Sequence, residues 1–135
     1  ELKAGMTDVY VRTVTETDIV QYSQVSGDDN PLHVNEEFAK QTIFKGRIAH
    51  GMLTCGYISA VLGTKLPGQG CAYLNKNLNF RATVRVGDTV QTRVTIKDAD
   101  NETNNVVTEV VCSIGEKIVI DGSATLWVPN RRKKD

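Results

Sequence analysis

No surplus of either charge sign exists in this 135-residue sequence, where sixteen lysines and arginines meet sixteen aspartates and glutamates. Neutralising nucleic-acid phosphates takes a basic excess gathered on one face, so nucleic acid is not expected as a partner. Long apolar runs are missing too: none reaches the ~18 residues that a spanning helix needs, and no membrane span is expected. Cysteine is scarce. Cys55, Cys71 and Cys112 are far apart, odd in number and form no CxxC pair, and they read as reduced core thiols of an intracellular protein. Only two histidines occur, His33 and His50, with no cysteine at ligand spacing, so a zinc site is not expected. Three prolines and no Pro/Gly/Ser-rich linker leave one domain over residues 1–135. The sequence opens at Glu1 rather than Met; the expected location is the cytoplasm, or an organellar matrix if a transit peptide has been removed.

What is present is patterned. Val9 to Val14 reads as a short strand, and Thr15-Glu16-Thr17-Asp18 as a helix start, with Ile19, Val20 and Tyr22 on its apolar face. Ser26 to Pro31 is a cluster of turn formers expected to be irregular. Asn35 would cap a short second helix, with Phe38 and Ala39 turned inward. From Gly46 to Gly63 the sequence is apolar almost all round, as in a buried helix, and Leu66-Pro67-Gly68 stops it. After Gly70 the period changes to two: Ala72 to Phe80, Val84 and Val86, Val90 to Ile96, Val106 to Ile114, Lys117 to Ile120 and Ser123 to Val128 read as antiparallel strands. One buried helix followed by at least four antiparallel strands predicts an α+β domain whose sheet wraps the helix, the hot-dog architecture.

Two stretches carry chemistry. In Ser26-Gly27-Asp28-Asp29-Asn30-Pro31-Leu32-His33, Gly27 permits unusual backbone angles and Pro31 fixes its own φ and restricts Asn30. Asp28 and His33 could therefore share one water, or the aspartates could cap a turn while the histidine satisfies a buried carbonyl. In Ile48-Ala49-His50-Gly51-Met52, a helix N-terminus would offer the Gly51 amide to a carbonyl that gains negative charge, or Gly51 could simply allow close packing. Arg131-Arg132-Lys133-Lys134 reads as a solvated tail. Lys76, Arg81 and Arg85 read as strand-surface charge, with phosphate contact the alternative.

Together the two stretches closely resemble the signature of the MaoC-like R-specific enoyl-CoA hydratases, also called hydratase 2. The shared pattern is Ser26-Gly27-Asp28-Asp29-Asn30-Pro31-Leu32-His33, then Phe38-Ala39, then Ile48-Ala49-His50-Gly51, and it continues through Leu62-Gly63 and Leu66-Pro67-Gly68 to Val86-Gly87-Asp88. The resemblance implies a hot-dog homodimer, with no cofactor, that hydrates trans-2-enoyl thioesters to (R)-3-hydroxyacyl thioesters or runs the reverse. CoA and acyl carrier protein are both possible carriers. By position, the resemblance makes Asp28 and His33 the catalytic pair, Gly51 the donor to the thioester carbonyl and Ser59 a substrate-bordering residue. Tyr57 and Leu62, two to three turns further along the helix, are candidates for an acyl tunnel. Alternatives are a hot-dog acyl-CoA thioesterase and a non-catalytic acyl-thioester-binding subunit.

Overall fold

A computed structural model describes residues 2–129, and the basic run Arg131 to Lys134 lies outside them. In chain order the elements are β1 (Thr7–Thr13), α1 (Glu16–Ser26), α2 (Pro31–Val34), α3 (Glu36–Lys40), α4 (Gly51–Thr64), β2 (Ala72–Phe80), β3 (Thr89–Asp100), β4 (Asn105–Ile114) and β5 (Lys117–Trp127). The five strands form one antiparallel sheet in the order β1-β3-β4-β5-β2. Val90, Val94, Val110, Cys112, Val119, Ile120 and Ala124 on the sheet close over Ile58, Val61 and Leu62 of α4. This is the helix-wrapped sheet that the switch from an all-apolar segment to period-two alternation predicts. A smaller cluster of Leu66, Ile96, Val106 and Val128 seals the far end of the helix. No disulfide joins the three cysteines among the described residues, and Cys55 and Cys112 are buried.

Several boundaries depart from the pattern. Helix α4 begins at Gly51, not Gly46: the backbone before it is extended, and the Ala49 N–H is spent on the Val84 carbonyl at 2.6 Å. Pro31 opens α2 instead of ending irregular backbone, because the Asn30 side chain accepts from Leu32 N–H and a proline at the first helical position has no amide to lose. Asn35 does cap α3, but only Ala39 points inward and Phe38 is exposed. Val20 likewise faces out. Residues 81–88 are not a strand, and the last two expected strands are a single one, β5. Strand β2 alternates in sequence but is exposed along nearly its whole length, since it forms a sheet edge.

Helix α1 is fixed by a reciprocal cap: Asp18 N–H donates to Thr15 Oγ1 and Thr15 N–H to the Asp18 carboxylate, each at 3.1 Å. Arg12 from β1 adds an ion pair to the same carboxylate at 2.6 Å. Burial works to raise the Asp18 carboxyl, but the bonds from Arg12 and Thr15 outweigh it and hold the group below its ordinary range. Asp18 therefore contributes stability above its unfolded pKa, and that contribution is lost as pH falls through the depressed folded value. Thr15→Ala should cost about 1 kcal/mol in urea unfolding at neutral pH, and Asp18→Asn should flatten the acid limb of the stability profile. An unchanged midpoint for Thr15→Ala would show that the cap contributes nothing.

Candidate active site

Gly27, at φ 81°, closes α1 in the left-handed region and turns the chain into the loop that carries Asp28. Asp28 is held through its backbone. Its carbonyl accepts from Ser23 Oγ at 2.7 Å and from His50 Nε2 at 3.0 Å, while its carboxylate accepts from Asn30 N–H at 3.3 Å. The carboxylate itself stays exposed to solvent. His33 sits on α2 with 9% of its surface exposed, and its Nδ1 lies 2.7 Å from the Ile48 carbonyl.

A carbonyl oxygen only accepts, so the protonation pattern of both imidazoles follows. His33 carries its proton on Nδ1 and leaves the Nε2 lone pair open. His50 carries its proton on Nε2 for the Asp28 carbonyl, and its buried Nδ1 has no partner. His50 is 2% exposed and lies between two rings, with Tyr22 at 4.7 Å and His33 at 4.0 Å between centroids. Burial, aided by the neighbouring His33, pushes the His50 pKa down, and it stands as a neutral spacer under the His33 ring. The histidine thus does satisfy a buried carbonyl, as one reading of the loop proposed, and in doing so acquires the tautomer that leaves Nε2 free to take a proton.

Asp28, His33 and His50 offer ligand atoms within 4.8 Å of one another. The two imidazoles are stacked only 29° from parallel, so their in-plane lone pairs run side by side rather than converging on one ion. One nitrogen of each ring is already bound to a carbonyl. The cluster suits proton transfer better than metal ligation.

Gly51 is the first residue of α4, and among the described residues nothing accepts its N–H. Beside it opens a largely apolar cleft of about 170 Å³, whose walls include Ile48, Ala49, Gly51, Thr54, Phe80 and Ile120. The Phe80 ring crosses Gly51 so closely that a methyl group there would stand 2.8 Å from Phe80 Cε2. Ser59 lies further along α4, its hydroxyl 2.7 Å from Tyr73 Oη and away from this cleft. Tyr57 and Leu62, expected to border a tunnel, are packed in the core instead, Leu62 with 1% of its surface exposed, and neither lines the cleft. Helix α4 is apolar all round, so its sequence does not reveal which face meets the sheet. Arg81 pairs with Asp121 at 3.2 Å, Arg85 donates to the Arg47 and Phe44 carbonyls, and Lys76 stands over the Tyr73 ring at 4.9 Å. Sequence reasoning missed the His50 bond to the Asp28 carbonyl, and also missed Thr54 and Phe80 as cleft walls. The spacing of Thr54, one turn after Gly51, was the available signal.

Residues 2–117 match the model of the MaoC like domain. An (R)-specific enoyl-CoA hydratase of Rhodospirillum rubrum is 47% identical over 97% of this chain and 91% of its own length. A 3-hydroxybutyryl-CoA dehydratase of Methylorubrum extorquens is 42% identical over 100% of this chain and 86% of its own. Among solved structures, an R-hydratase from Pseudomonas aeruginosa superposes with a TM-score of 0.91 at 36% identity, covering 97% of this chain and 84% of that one. With the helix-wrapped sheet and the loop-borne Asp28 and His33 in place, these likenesses assign the chain to the MaoC-like domain family of hot-dog proteins.

Proposed function

We propose that the protein adds water to trans-2-enoyl-CoA to give (R)-3-hydroxyacyl-CoA, or catalyses the reverse dehydration. The observation that carries this reading is the His33 tautomer: its Nδ1–H is spent on Ile48, which leaves Nε2 as the nitrogen able to take a proton, and a ring nitrogen of His33 lies within 4.8 Å of the Asp28 carboxylate. The names of the Rhodospirillum and Methylorubrum relatives favour CoA over a protein carrier. Those relatives are also bacterial, which supports a cytoplasmic setting. No helix among the described residues is long and apolar enough to cross a membrane.

In this mechanism the Gly51 N–H binds the thioester carbonyl and draws electron density from the conjugated double bond, leaving C3 electron-poor. A water between Asp28 and His33 gives one proton to the pair as its oxygen bonds to C3. The C2–C3 π electrons move toward the carbonyl, where the developing enolate meets the Gly51 amide. The pair then returns one proton to C2, from the side on which it delivered the oxygen. Atoms and charge balance without a redox partner, and no metal is required. A thioesterase would aim its water at the carbonyl carbon instead, and an aspartate-histidine pair is not needed for that.

Assembly belongs to the same proposal. Strand β2 is a sheet edge carrying exposed Tyr73, Leu74 and Phe80, with exposed Trp127 on its neighbour β5. Unpaired edge amides flanked by apolar side chains favour a second copy, and we read the protein as a homodimer joined along β2.

Asp28→Asn and His33→Ala should each lower kcat for crotonyl-CoA by about 100- to 10,000-fold, with the double variant little worse because both act on one water. Asp29→Asn should stay within a few-fold of the parent; if it proved more damaging than Asp28→Asn with both folded, the site would be misassigned. Dialysis against EDTA should leave turnover unchanged, and activity lost to the chelator and restored by zinc would replace this mechanism with a metal-dependent one. Light scattering at micromolar concentration should report a dimer; a monomer at that concentration would refute the assembly.

A further inference from the structure

Three threonines are buried among the described residues: Thr54, Thr92 and Thr108. Two of them are satisfied. Thr92 Oγ1 meets Cys112 Sγ at 3.4 Å, and Thr108 Oγ1 donates to the Ala124 carbonyl at 2.8 Å. Thr54, 1% exposed, has a hydroxyl with no partner at all. A helical threonine usually bonds back to the carbonyl four residues earlier, as Thr64 does to Ala60 in this same helix. Thr54 does not do so. A buried hydroxyl left without a partner costs stability, so its presence on the wall of the substrate cleft calls for a ligand that satisfies it.

We propose that Thr54 contacts the substrate, its hydroxyl donating to the thioester carbonyl oxygen as a second donor beside the Gly51 N–H. The inference rests on the hydratase reading and extends it. Side chains on a helix lean toward its N-terminus, so Thr54 hangs over the turn that begins at Gly51. An enoyl thioester presents one oxygen, the C1 carbonyl, and its hydrated product adds a second, the hydroxyl at C3. The oxygen added at C3 belongs to Asp28 and His33, which leaves the carbonyl for donors on the Gly51 side. Apart from Thr83, the other side chains that line the cleft are apolar, so a hydrogen bond formed there is poorly matched by water. Access requires the Phe80 ring to shift off Gly51, and Phe80 is 55% exposed in the single chain.

The test compares the parent, Thr54→Val and Thr54→Ser with crotonyl-CoA, together with thermal unfolding of each. Valine keeps the branched shape and deletes the hydroxyl; serine keeps the hydroxyl and deletes the methyl. Thr54→Val should lose about 100-fold in kcat with KM changed only a few-fold, because the bond strengthens as the oxygen gains charge. Its melting temperature should be no lower than the parent's, since no internal hydrogen bond is lost. Thr54→Ser should recover most of the rate. Full activity in Thr54→Val, a rise in KM alone, a serine variant as slow as the valine one, or a markedly lower melting temperature for Thr54→Val would each overturn the proposal. If the parent hydrates crotonyl-CoA and Thr54→Val matches it, the hydratase reading survives and only Thr54 is withdrawn. A parent without turnover removes both.

Discussion

The 2.7 Å bond from His33 Nδ1 to the Ile48 carbonyl is the constraint on which the site depends. It joins the loop before the buried helix to the extended strip leading into that helix, and with the His50 bond to the Asp28 carbonyl it holds the carboxylate-histidine pair in place relative to the start of α4. It also sets the chemistry. With Nδ1 committed as a donor, Nε2 is left as a base in neutral imidazole, and no rotation of the ring exchanges the two without breaking the bond. Removing the carbonyl's alignment would cost both position and tautomer at once.

That strip is itself anchored from several sides. Ile48 N–H reaches the Leu32 carbonyl at 3.4 Å, Ala49 N–H the Val84 carbonyl, and Arg85 donates to the carbonyls of Arg47 and Phe44. Arg47 pairs with Glu16 of α1 and Glu36 of α3, and Glu16 holds its carboxyl below the ordinary range chiefly through the Arg47 bond. Exposed pairs of this kind contribute little individually. Arg47, though, is only partly exposed and bridges three elements, so its value lies in fixing where the strip runs. His50 completes the frame, tying the start of α4 back to Asp28 and packing beneath His33.

Much of this was readable in the residues. The period change after Gly70 revealed the sheet, the charge-free stretch revealed the buried helix, and the two motif blocks named Asp28, His33 and Gly51. Their separation in sequence, with the histidines 17 positions apart, could not reveal that the two imidazoles stack. The helix start was misplaced by five residues because Ile48 and Ala49 are apolar whichever way the backbone goes; their amides were claimed by Leu32 and Val84, partners distant in sequence. For the same reason Tyr57 and Leu62 could not be assigned to core or cleft, as an all-apolar helix has no periodicity to orient it. Phe38 and Val20 faced outward for the complementary reason: short helices on the surface bury only one or two side chains.

Phe80 links the edge strand to the site. It is the last residue of β2, its ring rests on Gly51, and a side chain at residue 51 would collide with it at 2.8 Å. Glycine at 51 therefore lets an aromatic ring from the sheet edge lie close across the start of α4. Whatever pairs with β2 fixes the backbone from which this ring projects. The edge strand and the start of α4, far apart in sequence, meet at this one ring.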